Sequence, residues 1–199
     1  AARTGYRPQP AIFVSGCQDI RLHDITIHFA EGMGLLAQRS EDIHLERFSV
    51  ELRPKGGRYF TTQADATHFV ACRGQISVER CRFENMMDDA LNVHGVYLKV
   101  VGREGKHTLL GRFMHEQSFG FPWADLGDSV RLVTSRDIQG LEGVFHVSAI
   151  SSAEGKSLDG AREVRIIFRE ELPDDYTPER GISMENLTRT PRVLFARNL

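Results

Sequence analysis

Apolar and polar residues alternate over short stretches in the first half of the chain, in a pattern that occurs three times. Each copy reads apolar-x-apolar-x-x-apolar-x-apolar, and the copies cover residues 20–27, 43–50 and 76–83. A period of two is typical of β-strands, because successive strand side chains point to opposite faces. The two-residue break within each copy indicates a bend. Every copy therefore predicts two short strands joined by a bend.

The spacing of the copies predicts how these strands are arranged. The first two copies start at Ile20 and Ile43, but the third starts only at Ile76, because a Pro- and Gly-containing loop near 52–64 intervenes. A repeat of about two dozen residues, made of short strands and bends, is the signature of a parallel β-solenoid. One coil cannot bury its own apolar face, so coils stack. A leucine-rich repeat is the competing solenoid, but its leucine pattern is missing. We expect parallel β-helix coils over residues 1–96.

Beyond residue 96 the repeat ends and a different β pattern begins. Gly-rich and polar turns separate alternating stretches that predict an antiparallel meander, forming a small barrel or sandwich inserted over 97–180. Residues 181–199 resume short apolar alternation, which predicts a return to the β-helix. Because a solenoid needs polar caps at its ends, we expect this chain to be a fragment of a longer protein. The predicted strands of the insertion are 97–101, 108–113, 129–133, 144–150 and 164–168.

Composition and charge exclude several classes of protein. The chain is 41% hydrophobic and 26% charged, with a formal net charge of −2, so it has no polybasic surface for nucleic acid. No run of 18 apolar residues occurs, which argues against a membrane-spanning helix. The three cysteines are odd in number and lack Cys-x-x-Cys spacing, which argues against a disulfide framework and a structural zinc site.

The phase of the repeat places acidic residues at equivalent positions. It aligns Gly32, Asp65 and Asp88, and Asp88 follows Asp65 by one coil. Neighbouring parallel strands lie about 4.8 Å apart, so these two carboxylates should be stacked neighbours, with Asp89 beside them. Like charges this close are costly to keep ionised together, so one carboxyl can act as an acid and another as a base. Hydrolysis of a glycosidic bond needs this pair of roles.

Strand geometry restricts how the acidic pair can be exposed. Successive strand residues point to opposite faces, so Asp88 and Asp89 can both face solvent only on a bend or bulge. Beyond that bend, Asn92 and His94 should point outward beside the carboxylates. Two alternatives stay open. The pair could be a solvated turn, as we interpret the proline-flanked acidic pair at 174–175, or the carboxylates could bind Ca²⁺.

Other residues are weaker candidates for a functional site. The repeat aligns His68 with Leu91 on an inward row, which favours a core histidine. Phe69 aligns with Asn92 on the outward row, where it could stack on a sugar or pack under the 52–64 loop. Trp123 is the only tryptophan, and we interpret it as part of the barrel core.

The acidic motifs resemble those of a known enzyme family. The stretches 64–69, 72–74 and, above all, 81–95 resemble glycoside hydrolase family 110; the last reads Cys-Arg-Phe-Glu-Asn-Met-Met-Asp-Asp-Ala-Leu-Asn-Val-His-Gly. Members are α-1,3-galactosidases, best known for removing the terminal galactose of the blood group B antigen. The resemblance covers nearly the whole chain, and it implies an all-β fold: a right-handed parallel β-helix with β-barrel insertions.

The resemblance also implies a mechanism and a site. It implies an inverting hydrolase that needs no metal or other cofactor and uses Asp65, Asp88 and Asp89. By similarity to polygalacturonases, Asp88 is the general acid, and the other two aspartates hold and deprotonate the water. Asn92 and His94, with His68, are the candidate contacts to sugar.

The expected partner is a galactose-terminated oligosaccharide or glycoconjugate, and neither nucleic acid nor a membrane is expected as a partner. Homo-oligomer formation stays open. Family context implies a secreted or periplasmic bacterial protein. Two other functions also stay open. One is a polygalacturonase-like hydrolase, which needs cations near the carboxylates to bind a uronate; Arg73 is the only nearby arginine that the sequence places there. The other is a non-catalytic carbohydrate-binding β-helix module.

Overall fold

A computed structural model describes residues 9–116 and 118–199 of the chain. The regular elements in the described residues are β-strands and three short 3₁₀ helices. The chain divides into two compact units. One contains the described residues up to His94 together with Arg189–Leu199, and the other is Gly95–Thr188. In the described residues, no helix is long and apolar enough to cross a membrane.

Two parallel sheets form the first unit. The four-stranded sheet has the order β1-β3-β5-β8, and the five-stranded sheet has the order β15-β6-β4-β2 with β7 paired to β4. The strands of the first sheet are β1 Ile12–Ser15, β3 Leu35–Gln38, β5 Thr67–Val70 and β8 Leu91–His94. Those of the second are β2 Gln18–Ile27, β4 Glu41–Val50, β6 Arg73–Glu79, β7 Arg82–Phe83 and β15 Arg192–Ala196.

The prediction of a right-handed parallel β-helix with an inserted barrel is wrong as a fold class. The structure shows two parallel sheets and a closed antiparallel barrel, and in the described residues it shows no parallel β-helix solenoid. The repeat correctly indicates which strands pair, since β2 pairs with β4 in the register of the first two copies, with Ile20 opposite Ile43. Three copies, the third delayed by a loop, specify this parallel pairing. They do not specify how successive turns of chain close into a solenoid.

A left-handed residue marks the predicted break in each copy, but only the third copy is divided into two strands, and the first two copies lie within the continuous strands β2 and β4. Asp24, Arg47 and Arg80 occupy the break in the three copies, and their φ angles are 57°, 49° and 53°, in the left-handed region. The guanidinium of Arg47 donates to both carboxylate oxygens of Asp24, at 2.6 and 2.8 Å. The two neighbouring bends are therefore joined by a bidentate ion pair.

Apolar side chains of both sheets form one core. Phe48, Phe69, Leu45 and Ile76 are fully buried in it. The prediction that Phe69 faces outward and His68 inward is therefore wrong. The offset between β5 and β8 is one residue longer than the repeat suggests, which puts His68 opposite Asn92 and Phe69 opposite Val93. A shift of a single residue in register reverses the face of every side chain in a strand.

The second unit is a closed six-stranded antiparallel barrel. Its strand order is β10-β13-β12-β11-β14-β9, closed between β9 and β10. Five strands confirm the sequence prediction, but β10 pairs with β13, so the order is not that of a meander. The sixth strand, β14, lies in the segment that the sequence assigned to the β-helix return. The strands are β9 Leu98–Glu104, β10 Thr108–Phe113, β11 Ser129–Thr134, β12 Phe145–Ser152, β13 Glu163–Phe168 and β14 Ile182–Asn186.

The structure also contains three short 3₁₀ helices and a buried tryptophan. The helices are Leu158–Gly160, Pro178–Arg180 and Leu187–Arg189. Trp123 is 2% exposed, and its indole Nε1 donates to the Val96 carbonyl at 2.6 Å, which confirms its place in the core of this unit.

Candidate active site

The centre of the candidate site is Asp65, which lies two residues before β5. It is 2% exposed. Its carbonyl accepts from the Gly34 amide at 3.0 Å, and the next amide, of Ala66, donates to the Asp89 carbonyl at 2.8 Å. Hydrogen bonds to the segments on both sides therefore fix the backbone of Asp65, from which the carboxylate extends.

Asp88 and Asp89 lie in the irregular segment between β7 and β8. Asp88 is at a bend, and both side chains are exposed, as the sequence predicted. The Met87 amide donates to the Thr62 carbonyl at 3.0 Å, which fixes the segment just before the pair. One carboxylate oxygen from each of Asp65, Asp88 and Asp89 lies within 4.8 Å of the others. The structure therefore brings the three predicted catalytic carboxylates together.

The alignment behind this prediction was wrong by one position. The ladder pairs Thr67 with Leu91, so the residue level with Asp65 is Asp89 rather than Asp88. Likewise, Leu35 pairs with Thr67, which places Met33 rather than Gly32 at the equivalent position in the preceding strand. The carboxylates nevertheless meet, because the bend exposes both members of the acidic pair.

The other predicted site residues surround Asp65. The His68 Nδ1 lies 2.5 Å from Asp65 Oδ2, and the Asn92 amide nitrogen donates to the same oxygen at 3.3 Å. The His94 Nε2 lies 2.8 Å from the His68 Nε2, with the rings edge to face. The sequence proposed Asn92, His94 and His68 as sugar contacts. In the structure two of them bind the buried carboxylate.

Three residues that position Asp65 were missed by sequence reasoning. The Thr62 hydroxyl donates to the Ala64 carbonyl at 2.6 Å, and the Thr67 hydroxyl donates to the Ala90 carbonyl at 2.9 Å. A Cβ on Gly34 would lie 2.5 Å from the Ala66 carbonyl oxygen. The only sequence signal for these roles is the position of small or hydroxyl-bearing residues beside the acidic motif.

The calcium interpretation stays a prediction. One carboxylate oxygen from each of Asp65, Asp88 and Asp89 lies within 4.8 Å of the others, and such a group could hold a metal ion. Oδ2 of Asp65 already accepts from the Asn92 amide and is in hydrogen-bond contact with His68, so a cation there would compete with these two side chains.

The cation considered for a uronate substrate has another role. Arg73 lies at the start of β6, and its guanidinium binds the Glu41 carboxylate, with Nη2 and Oε2 2.7 Å apart. Neutralised by Glu41, Arg73 gives no support to a uronate-binding site.

Comparison with known proteins agrees with the resemblance found in the sequence. No family model matches the chain. The chain is 48% identical over 200 residues to an α-1,3-galactosidase B of Phocaeicola vulgatus and 48% identical over 199 residues to one of Bacteroides fragilis. It is 31% identical over 196 residues to an α-1,3-galactosidase A of Bacteroides thetaiotaomicron.

These alignments cover the present chain almost completely, at 100%, 100% and 98%, but only 33% of each relative. The chain thus spans about a third of the length of the curated relatives that it matches. The resemblance found in the sequence is confirmed, because the whole chain is similar to one part of these curated α-1,3-galactosidases.

Proposed function

We propose that this protein is a glycoside hydrolase that removes terminal α-1,3-linked galactose from oligosaccharides or glycoconjugates. The observation that carries the proposal is the convergence of one buried and two exposed carboxylates, from Asp65, Asp88 and Asp89, within 4.8 Å. The relatives' names supply the linkage and the sugar. A secreted or periplasmic location, where such glycans are met, is part of the proposal.

In the proposed mechanism, Asp88 is the general acid. Its proton passes to the glycosidic oxygen as the bond from that oxygen to the anomeric carbon breaks. Asp65 and Asp89 hold a water molecule, take one of its protons and direct its oxygen to the anomeric carbon. A water about 2.8 Å from each of two oxygens can bridge a gap of up to about 5.6 Å. The 4.8 Å limit within this cluster fits such a bridge.

The spacing of the carboxylates makes the stereochemical outcome the sharpest test. Inverting glycosidases typically hold their two carboxyls about 6.5–9.5 Å apart, and retaining ones about 5–5.5 Å apart. Those separations are between carboxyl groups, whereas the 4.8 Å limit here joins one oxygen atom of each carboxylate. We propose inversion because the family resemblance implies it, and the closeness of Asp65 and Asp89 supports a water held between them.

The experiment uses the natural protein that carries this sequence and a galactosyl-α-1,3-galactose disaccharide. Proton NMR of the first product should show β-galactose. The variant Asp88→Asn should lower kcat by about 10²–10⁴-fold while disaccharide binding persists, because a general acid acts in the transition state. Asp65→Asn and Asp89→Asn should show losses of similar size.

The acidic pair at residues 174 and 175 supplies a matched control. Asp174 is fully exposed, and its variant Asp174→Asn should hydrolyse the disaccharide like the wild type. Wild-type protein that leaves every α-linked galactoside intact would refute the proposed function. First release of α-galactose would refute inversion alone, and near wild-type turnover by Asp88→Asn would refute the role of that residue.

A further inference from the structure

A chain of hydrogen-bonded side chains leads from the buried carboxylate of Asp65 to an exposed ring. His68 Nδ1 lies 2.5 Å from Asp65 Oδ2, and the His68 side chain is only 14% exposed. His68 Nε2 lies 2.8 Å from His94 Nε2, and His94 is exposed. The two rings are edge to face, with their centroids 4.8 Å apart. Asp65, His68 and His94 thus form one connected series.

The strand ladder explains why these side chains meet. His68 lies on β5 opposite Asn92 of β8, and His94 is two positions further along β8, so all three point to the same face. On that face β3 contributes Leu36 and Gln38, which do not titrate. Among the titratable groups of the described residues, Asp65 contacts His68 directly, and one carboxylate oxygen each of Asp88 and Asp89 lies within 4.8 Å of an oxygen of Asp65.

The protons in this series can be counted. An ionised carboxylate only accepts hydrogen bonds, so beside ionised Asp65 the His68 Nδ1 must carry a proton. The contact between the two Nε2 atoms then needs one proton shared between them. Either neutral His68 accepts from His94, or His68 imidazolium donates to neutral His94.

The same count sets a limit on charge. The two histidines together can hold one positive charge with their contact intact. If both rings were imidazolium, both Nε2 atoms would carry a proton and the contact would break. A second proton should therefore separate His94 from His68 and loosen the hold of His68 on Asp65.

We propose that His68, supported by His94, is a positioning residue that orients the Asp65 carboxylate and keeps it ionised for its work as a base. This inference rests on the function proposed above. His68 acts through Asp65, and its Nδ1–H stays on the carboxylate while water is deprotonated. His94 holds the His68 ring in place through the contact between the two Nε2 atoms, and it is the solvent-exposed member of the series.

The first test needs no activity. Nitrogen-15 NMR of the histidine rings in the natural protein should show that His68 carries its proton on Nδ1 at neutral pH. The variant Asp65→Asn should change the His68 signals. The variant His23→Gln removes an exposed histidine that contacts Asp24 on the other sheet, and it should leave the His68 signals unchanged. A His68 ring protonated only on Nε2 would overturn the proposal.

The second test is a pH profile. The variant His94→Gln places an amide where the second ring was; the amide does not titrate, and it can accept from His68 imidazolium. The acidic limb of kcat/KM should therefore move to lower pH. The control His23→Gln should keep the wild-type profile. An acidic limb in His94→Gln that coincides with that of the wild type would refute the role of the pair.

The third test separates positioning from sugar binding. His68→Gln should lower kcat by about 10–100-fold with KM changed by less than about threefold, because the amide can donate to Asp65 but only with looser geometry. A rise in KM with unchanged kcat would show that His68 binds sugar and would overturn the proposal. If the wild-type protein hydrolyses no α-galactoside, the proposed function fails, while the NMR result still decides whether His68 holds Asp65.

Discussion

At the scale of single residues, the sequence predicted which side chains meet at the site, but it assigned two neighbouring residues of β5 to the wrong faces. The acidic pair and Asp65 were found from the repeat, and all three carboxylates converge. His68 and Phe69 were assigned to each other's faces, because the offset between β5 and β8 exceeds that of the repeat by a single position. Apolar alternation gives the period of a strand, and one extra residue in a bend is enough to reverse its phase.

Gly34 provides a prediction at this scale. A Cβ at this position would lie 2.5 Å from the Ala66 carbonyl oxygen and 3.1 Å from Val50 Cγ2. Gly34→Ala should therefore push β3 away from the segment that carries Asp65 and lower the free energy of unfolding by about 1–3 kcal/mol. Urea denaturation measures this loss, and kcat should fall with it.

Gly160→Ala is the matched control for this substitution. There the nearest atom to an added Cβ, Ser157 Oγ, lies at an ordinary contact distance of 3.5 Å. The control should unfold at nearly the wild-type urea concentration. Equal midpoints for Gly34→Ala and the wild type would contradict the tight approach of β3 to the Asp65 segment.

At the scale of elements, local patterns predicted strands well and their partners less well. Five of the six barrel strands were predicted within a few residues. The pairing of β10 with β13, rather than with the next strand in the chain, could not be predicted, because each barrel strand shows the same alternation. For the same reason β14 could not be distinguished from a strand of the parallel sheets.

The attachment of β15 gives a prediction at the scale of elements. Beyond the end of this strand, Asn198 accepts from the Cys81 amide at 2.7 Å and donates to the Val78 carbonyl at 2.8 Å. Asn198→Ala removes both hydrogen bonds, so the free energy of unfolding should fall by about 1–3 kcal/mol. Thermal unfolding checks this, with Arg192→Ala, an exposed position on the same strand, as the control. Identical melting temperatures for both variants would show that Asn198 contributes nothing to the attachment.

At the scale of the whole molecule, composition argued against nucleic acid as a partner but could not specify architecture. A net charge of −2 is compatible with many folds. The parallel sheets arise from the pairing that the repeat encodes, whereas the β-helix inferred from that repeat and from the family resemblance is not formed in the described residues. How many turns of chain stack, and how they close, depends on contacts between residues far apart in sequence.

The cysteines give a prediction for the whole fold. Cys17 is exposed, while Cys72 and Cys81 are buried, and burial raises the pKa of both buried thiols. A chromogenic disulfide reagent should therefore modify one thiol quickly and two only as the protein unfolds. Cys17→Ser should remove the fast phase, and a remaining fast thiol would contradict the burial of the other two.

The same two buried thiols determine how the free energy of unfolding changes with pH. In the unfolded chain they ionise near their ordinary value of about 8.5, below the raised pKa that they have in the folded protein. Between these values the folded state holds more protons, so the free energy of unfolding should decrease as the pH rises above about 8.5. Denaturant midpoints across this range measure the decrease, which should be smaller in a Cys72→Ala, Cys81→Ala double variant.

Because β15 follows the barrel in the chain, the ribosome synthesises it long after β6, the strand with which it pairs. Cys81, just after β6, and Asn198, just after β15, are hydrogen-bonded although they are 117 residues apart in the chain. At about 5–20 residues per second, roughly 6–23 s pass between the emergence of these two partners. During that interval the outer edge of β6 has exposed backbone amides and carbonyls, which another nascent chain could pair with. Slower translation of the intervening segment should therefore increase aggregation.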